Sequence, residues 1–246
     1  MSIAVTTRLL LKGRLEGIGW YTFETLSRIV KSHPEHDFYF LFDRPYSEEF
    51  VFAENVHPII VGPPTRHPLL WYYWFEIRIP KILKKLKADI FLSTDGFLSL
   101  VSKTPSIAVI HDINFKHHPK DLKFSHRIFY NHFFKKYAQK ASRIVTVSNY
   151  SKTDICDNYR IQASKIDVSL NGVNTNFYPI GIDQQIAIRK KYSAGKDYFL
   201  FVGRLVDSAG VDFILESVCK FSNLFDRKIV LVIGFMSNFQ HFGSRN

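Results

Sequence analysis

The chain has 246 residues, 46% of them hydrophobic, enough apolar side chain for a large core in one domain or two smaller ones. Lys and Arg number 33 against 22 Asp and Glu, giving a net charge of +11 and a pI near 9.6, a balance that favours phosphorylated substrates, nucleic acid or an anionic membrane face as partners. There are only two cysteines, no apolar run near the ~18–20 residues of a spanning helix and no basic head leading into an apolar core at the N-terminus. These features argue against a disulfide framework, a membrane span and a secretory leader, and a cytoplasmic protein is expected.

Ile3–Leu11 is a strand candidate, followed by a charged, glycine-containing loop that ends in Gly17-Ile18-Gly19. Trp20–Ser32 then places Phe23, Leu26, Ile29 and Val30 on one helical face. His33–Asp37 breaks that pattern, Phe38–Phe42 reads as a buried strand, and Val56–Val61 reads as another, stopped by Gly62-Pro63-Pro64. Leu69–Leu86 is aromatic at its start and basic at its end, with Pro80 expected to kink the helix or to begin a new one.

Ala88–Thr94 and Ser106–His111 are apolar runs of the kind found in parallel strands buried on both faces. Lys123–Ala141 is a long helical pattern with Arg127, Lys135, Lys136 and Lys140 at exposed positions. Arg143–Ser148 is a further strand, and a helix over Ser148–Asn158 is capped by Ser148 or Asn149. Ile166–Ser169 is a short strand before Asn171-Gly172-Val173. Strands alternating with helices up to this point predict a doubly wound α/β domain over residues 1–175.

Residues 176–195 read as a linker with a short helix, Ile182–Lys191. A second βαβ start over 196–246 then has a strand at Tyr198–Val202, a helix at Val211–Phe225 and a strand at Ile229–Ile233. Cys156 and Cys219 lie within helical patterns without metal-ligand neighbours, as expected of buried free thiols.

Several residues sit where such a sheet gathers ligands, beyond the carboxyl ends of its strands. Gly17 and Gly19 open a helix, where backbone N–H groups and the helix dipole favour an anion, or where a tight turn simply needs small residues. His111 and Asp112 follow a strand; the imidazole suits a sugar hydroxyl or a phosphate, and the carboxylate suits fixing its tautomer or capping a helix. His117 and His118 lack a companion ligand at a recognisable spacing, so no metal site is expected. Leu69–Lys87, with Lys81, Lys84, Lys85 and Lys87, fits either a core helix with a solvated basic end or a helix lying on an anionic membrane surface. Neither a Gly-x-Ser-x-Gly elbow nor a Walker A loop is present, and the basic residues form no nucleic-acid-binding motif.

Taken in order, these landmarks resemble glycosyltransferase family 4, with its GT-B fold of two Rossmann-like domains. Gly17-Ile18-Gly19-Trp20-Tyr21 resembles the family's GGIG loop. Trp74-Phe75-Glu76 through Pro80 to Ala88-Asp89 resembles its "E…LP…aD" segment, and His111-Asp112 its HD pair. Val147-Ser148-x-x-Ser151-Lys152, Asn171-Gly172-Val173 and Val202-Gly203-Arg204-Leu205 resemble VSxxSK, NGV and VGRL.

The resemblance implies transfer of a sugar from a nucleotide-sugar to a glycan or lipid-linked acceptor, with retention and without a metal or other cofactor. His111 and Asp112 would be catalytic, and Gly17, Gly19, Gly203 and Arg204 would hold the donor phosphates. Ser148, Asn171 and Gly172 would line the acceptor cleft. Ala209 stands where the family has a phosphate-binding lysine, and the family's Glu-x7-Glu signature would fall beyond Asn246. Only the start of the donor-binding domain is therefore expected here, with weak or absent transfer by this chain alone. The alternative is a non-catalytic acceptor-binding or membrane-surface module, peripheral at the inner membrane face.

Overall fold

The computed structural model describes residues 1–173, 177–203 and 228–233, together with five positions between 213 and 220. The chain forms two compact units, Met1–Asn171 and Gly172–Asn246.

The first unit is built on seven parallel strands: β1 (Ser2–Thr6), β2 (Asp37–Phe42), β3 (Val56–Ile60), β4 (Ile90–Ser93), β5 (Ser106–Val109), β6 (Arg143–Thr146) and β7 (Ile166–Val168). Their spatial order is β3-β2-β1-β4-β5-β6-β7. The chain winds outward from β1 through β3, then returns to lay β4 against the other side of β1. That reversal makes the β1/β4 junction the topological switch point, where loops diverge and leave a crevice beyond the strand ends.

The two-residue period of the strands sorts their side chains onto two faces. Val5 of β1 and Phe38, Phe40 and Phe42 of β2 join Leu26 and Val30 of α1 (Gly17–Ser32) in one core. Ala4 and Leu41, from alternate positions of the same strands, join the core on the other face. That second core is filled by α2 (Pro68–Tyr73), α3 (Ile79–Leu86), α5 (Phe124–Lys140) and α6 (Asn149–Tyr159), and α4 (Asn114–His117) is a single short turn. Trp74, Phe75, Phe97 and Tyr137 are among the side chains at its centre. Each large apolar group buried in this way contributes about 1.5–3 kcal/mol of transfer free energy.

The α/β class expected from the sequence is the one observed, with instructive local differences. The strand expected over Ile3–Leu11 stops at Thr6, because Leu10 N–H closes a turn onto the Thr7 carbonyl at 3.0 Å and the chain leaves the sheet there. The helix expected over Leu69–Leu86 starts at Pro68 and is interrupted by a π-helical turn, Trp74–Arg78. Pro80 is the second residue of α3, directly after that π-helical turn, and Arg78 and Ile79 before it are already helical, so it neither begins a separate helix nor ends one but sits where the backbone bonds have shifted to the π pattern. Trp71, Trp74, Phe75, Ile79 and Leu83 of this stretch are buried, whereas Leu69, Tyr72, Tyr73, Ile77, Lys81, Lys84, Lys85 and Lys87 are exposed. On α5, Lys135, Lys136 and Lys140 are exposed as expected, but Arg127 is half-buried with its guanidinium 5.3 Å from the Phe124 ring centre.

In the second unit, α7 (Ile182–Ser193) precedes a parallel pair, β8 (Tyr198–Gly203) and β9 (Lys228–Ile233), in register from Tyr198 opposite Lys228 to Gly203 opposite Ile233. The helix expected over Val211–Phe225 lies largely outside the described residues, as do Arg204, Ala209 and Cys219. Among the described residues, no helix is long and apolar enough to cross a membrane.

Candidate functional site

The residues that immediately follow β1, β4 and β5 come together at the switch point. Thr6 and Thr94 clasp the first two strand ends: Thr94 N–H donates to Thr6 Oγ1 at 3.1 Å, and Thr94 Oγ1 donates to the Thr6 carbonyl at 3.0 Å. Beside them Arg8 is enclosed between aromatic rings, its guanidinium carbon 4.4 Å from the Phe97 ring centre and 5.6 Å from that of Phe75. Its Nε donates to Asp95 Oδ2 at 2.5 Å and its Nη1 to Thr65 Oγ1 at 3.3 Å.

Thr65 continues the chain of bonds by donating from both its N–H and its hydroxyl to Asp43 Oδ2, each at 2.6 Å. Arg44 closes on the same carboxylate at 2.7 and 2.8 Å. Burial pushes the Asp43 carboxyl up, but the bonds from Arg44 and Thr65 outweigh it and hold the group below the usual carboxylate range. A polar brace thus ties the carboxyl ends of β1, β2 and β4 to the segment after β3. Thr7 Oγ1, at the same strand end, is buried without a partner.

Asp95 is placed by the residue after it. Gly96 has φ +80°, a left-handed conformation that side chains resist, and a Cβ there would sit 3.3 Å from both Phe134 Cε1 and the Val109 carbonyl. The turn directs Asp95 Oδ1 to accept from Ser93 Oγ at 3.0 Å while Oδ2 meets Arg8.

His111 stands at the end of β5, half-buried. Its Nε2 is 3.0 Å from the Thr94 carbonyl, and the edge of the Tyr21 ring meets it at 4.8 Å and 87°. A carbonyl can only accept, so Nε2 carries the proton and the neutral ring keeps a lone pair on Nδ1. Burial pushes the imidazole below its ordinary value, against the Thr94 bond and the charges of Asp95 and Asp112. The ring is therefore neutral near pH 7 and suited to accepting a hydroxyl proton. Thr25 of α1 and Ser169, just after β7, lie close to the Tyr21 hydroxyl, so α1 and the end of β7 meet at the same place.

The other residues singled out from the sequence are distributed more widely. Asp112 is exposed and accepts from Asn114 N–H at 2.9 Å, bonding to the backbone of α4. Gly17 and Gly19 both lie in the first turn of α1, but they differ. A Cβ on Gly17 would meet nothing within 4 Å, whereas one on Gly19 would sit 2.8 Å from the Leu9 carbonyl, so Gly19 is required by packing. Ser148 is the N-cap of α6 and accepts from Ser151 N–H at 3.0 Å. Asn171 and Gly172 are exposed in the segment after β7, Gly203 ends β8, and Arg204 lies outside the described residues. His117 pairs with Asp154 at 2.8 Å instead of joining His118.

Glu76, within the "E…LP" stretch, is buried in the π-helical turn and accepts from the N–H groups of Leu100 at 3.0 Å and Val101 at 3.3 Å. It anchors the loop after β4.

Arg8, Asp95, Thr65 and Asp43 were not singled out from the sequence. Asp95-Gly96 could have been, since it follows an apolar run in the same way as His111-Asp112. Arg8 was concealed inside a strand drawn five residues too long, to Leu11 instead of Thr6.

Residues 15–177 match the model of Glycosyltransferase Family 4. The O-antigen chain mannosyltransferase RfbU of Salmonella typhimurium is 26% identical over 165 residues, a match that covers 64% of this chain and 42% of that protein. Among solved structures, WaaG, a glycosyltransferase involved in lipopolysaccharide biosynthesis, superposes with a TM-score of 0.60 at 14% identity, over 93% of this chain and 62% of that one. Anabaena HepE, crystallised with UDP, gives 0.54 at 12% identity, over 96% and 70%. At such identities the structural likeness speaks to fold alone. The curated relative is matched over less than half of its length. The family model nevertheless spans most of the sheet described above, from the loop before α1 to beyond β7, and the chain belongs to glycosyltransferase family 4.

Proposed function

We propose that the protein takes part in glycosyl transfer from a nucleotide-sugar to a glycan or lipid-linked acceptor, with retention and without a metal. The reading is carried by His111, held neutral against the Thr94 carbonyl at the switch point of a family-4 domain, with Nδ1 left as an acceptor for a hydroxyl. Asp112 adds negative charge beside it. Gly17, open to solvent at the first turn of α1, leaves room for an anionic group to approach backbone N–H donors.

Gly203 and Arg204 belong to the donor side in this reading, and Ser148, Asn171 and Gly172 to the acceptor side. Ser148 acts there through the helix it caps. Ala209, in the place of a second cation, supports weak transfer by these 246 residues on their own. The test is incubation with a panel of nucleotide-sugars and membrane-extracted acceptors, with products followed by mass spectrometry and their anomeric configuration read by NMR. Slow transfer with retention, unaffected by EDTA, is expected. Inversion or dependence on a divalent ion would contradict the mechanism.

A second reading is favoured by one surface. Leu69, Tyr72, Tyr73 and Ile77 are exposed together, with Lys81, Lys84, Lys85 and Lys87 following on the same stretch. Exposed aromatic and aliphatic groups beside a basic run suit an anionic bilayer, where a lipid-linked acceptor would reside. Flotation with anionic and neutral vesicles tests this. Selective recovery with anionic vesicles is expected, lost when Lys81, Lys84 and Lys85 are changed to glutamate, and equal partitioning would remove the membrane reading.

A further inference from the structure

The amino-terminal end of the seven-stranded sheet, opposite the switch-point residues, carries a cluster that sugar transfer does not use. After α1 the chain turns through His33-Pro34-Glu35-His36 into β2. His33 Nδ1 lies 3.1 Å from Glu35 Oε1, and His36 Nε2 lies 3.5 Å from the same oxygen. One ligand atom from each residue falls within 4.8 Å of the other two. The imidazole rings are nearly parallel, with centres 5.7 Å apart and planes 8° from each other.

The turn is held in shape independently of these side chains. Asn55 Nδ2 lies 3.1 Å from the Val30 carbonyl and 3.0 Å from each of the His33 and His36 carbonyls. The ligand-bearing backbone is therefore formed in advance, and an ion would have only the exposed side chains of His33 and Glu35 and the half-buried ring of His36 to order.

We propose that His33, Glu35 and His36 bind a divalent transition-metal ion of the zinc class, at a site separate from the transfer crevice. Bonds of about 2.0–2.1 Å to nitrogen or oxygen, set at a tetrahedral angle, place two ligand atoms roughly 3.3–3.4 Å apart. The observed 3.1 and 3.5 Å lie on either side of that value. Two imidazoles with one carboxylate select zinc, nickel or copper over calcium and magnesium, which prefer an all-oxygen shell. Water completes the outward positions.

The ion would clamp the C-cap of α1, His33, to His36, the residue before β2. The site lies at the amino end of strands whose carboxyl ends, a strand length of about 17 Å away, line the crevice. Its role is thus to stabilise Met1–Asn171, and it does not depend on the transfer reading.

The test uses untagged protein freed of metal by a chelator and titrated with zinc against a chromogenic competitor. The variants are His33→Ala, Glu35→Gln and His36→Ala, with His117→Ala as a control for an unrelated surface imidazole. One equivalent bound with micromolar affinity is expected for the wild type and for His117→Ala, with at least about a tenfold loss in the other three. Urea midpoints measured without metal establish that each variant is folded, and Glu35→Gln, an exposed and nearly isosteric change, decides the matter if an alanine variant is not. Absence of a bound equivalent in the wild type, or unchanged affinity in the folded cluster variants, would overturn the site.

Discussion

Arg8 Nε approaches Asp95 Oδ2 to 2.5 Å, with the two side chains only 8% and 3% exposed, and this pair joins the residues following β1 to those following β4. Removing one member of such a pair leaves the other charged, buried and unpaired. Arg8→Ala is expected to destabilise the first unit by about 3–5 kcal/mol, read as a shift of the urea midpoint with little change in slope. Thr65 should respond less, because Arg44 still holds Asp43 when the threonine hydroxyl is gone. A stability loss of about 1 kcal/mol is expected for Thr65→Val.

The two glycines that open α1 should separate in their effects. Gly19→Ala forces a methyl to within 2.8 Å of a backbone carbonyl that cannot swing aside, and a loss of about 1–3 kcal/mol is expected. Gly17→Ala meets nothing, so stability should stay within about 0.5 kcal/mol of the wild type. If Gly17 gives an anion access to the helix, its alanine variant should bind nucleotide-sugar more weakly while melting normally. Equilibrium denaturation together with nucleotide-sugar titration distinguishes the two effects.

His111 gives a pH dependence of definite sign. Its folded pKa is depressed below the ordinary 6.5 by burial, so the unfolded chain takes up a proton at a higher pH than the folded one. Its contribution to stability is therefore complete above about pH 6.5 and declines as the pH falls from there through the depressed folded value. His126 is depressed in the same direction, first by burial, so the informative quantity is the wild type minus His111→Gln. That difference should shrink as the pH falls below about 6.5, measured by urea unfolding at each pH, and a constant difference would contradict the assigned neutral state.

Glu76 belongs to a motif but works on the backbone. Glu76→Gln replaces one acceptor oxygen with a donor facing the N–H groups of Leu100 and Val101, and a loss of about 2 kcal/mol is expected. Faster amide exchange confined to the loop after β4 would identify the cause.

Much of this architecture was legible in the residue pattern because parallel strands buried on both faces read as short apolar runs. Phe38–Phe42 and Arg143–Ser148 were located to within a residue or two for that reason. The π-helical turn was not legible, since burying Trp74, Phe75 and Glu76 in succession breaks the 3.6-residue period on which helix recognition rests. In the crevice, His111 was visible as a polar residue after an apolar run. Arg8 and Asp95 were not, because what makes them notable is their pairing across 87 positions, which only the return of β4 to the side of β1 creates.

The most direct measurement is release of nucleoside diphosphate from a panel of nucleotide-sugars by wild type and His111→Ala, with both shown to be folded. Slow release by the wild type, cut by about a hundredfold or to background in the variant, is the result this account predicts. Equal release by the two proteins would contradict the assignment of sugar transfer to the crevice between β1, β4 and β5.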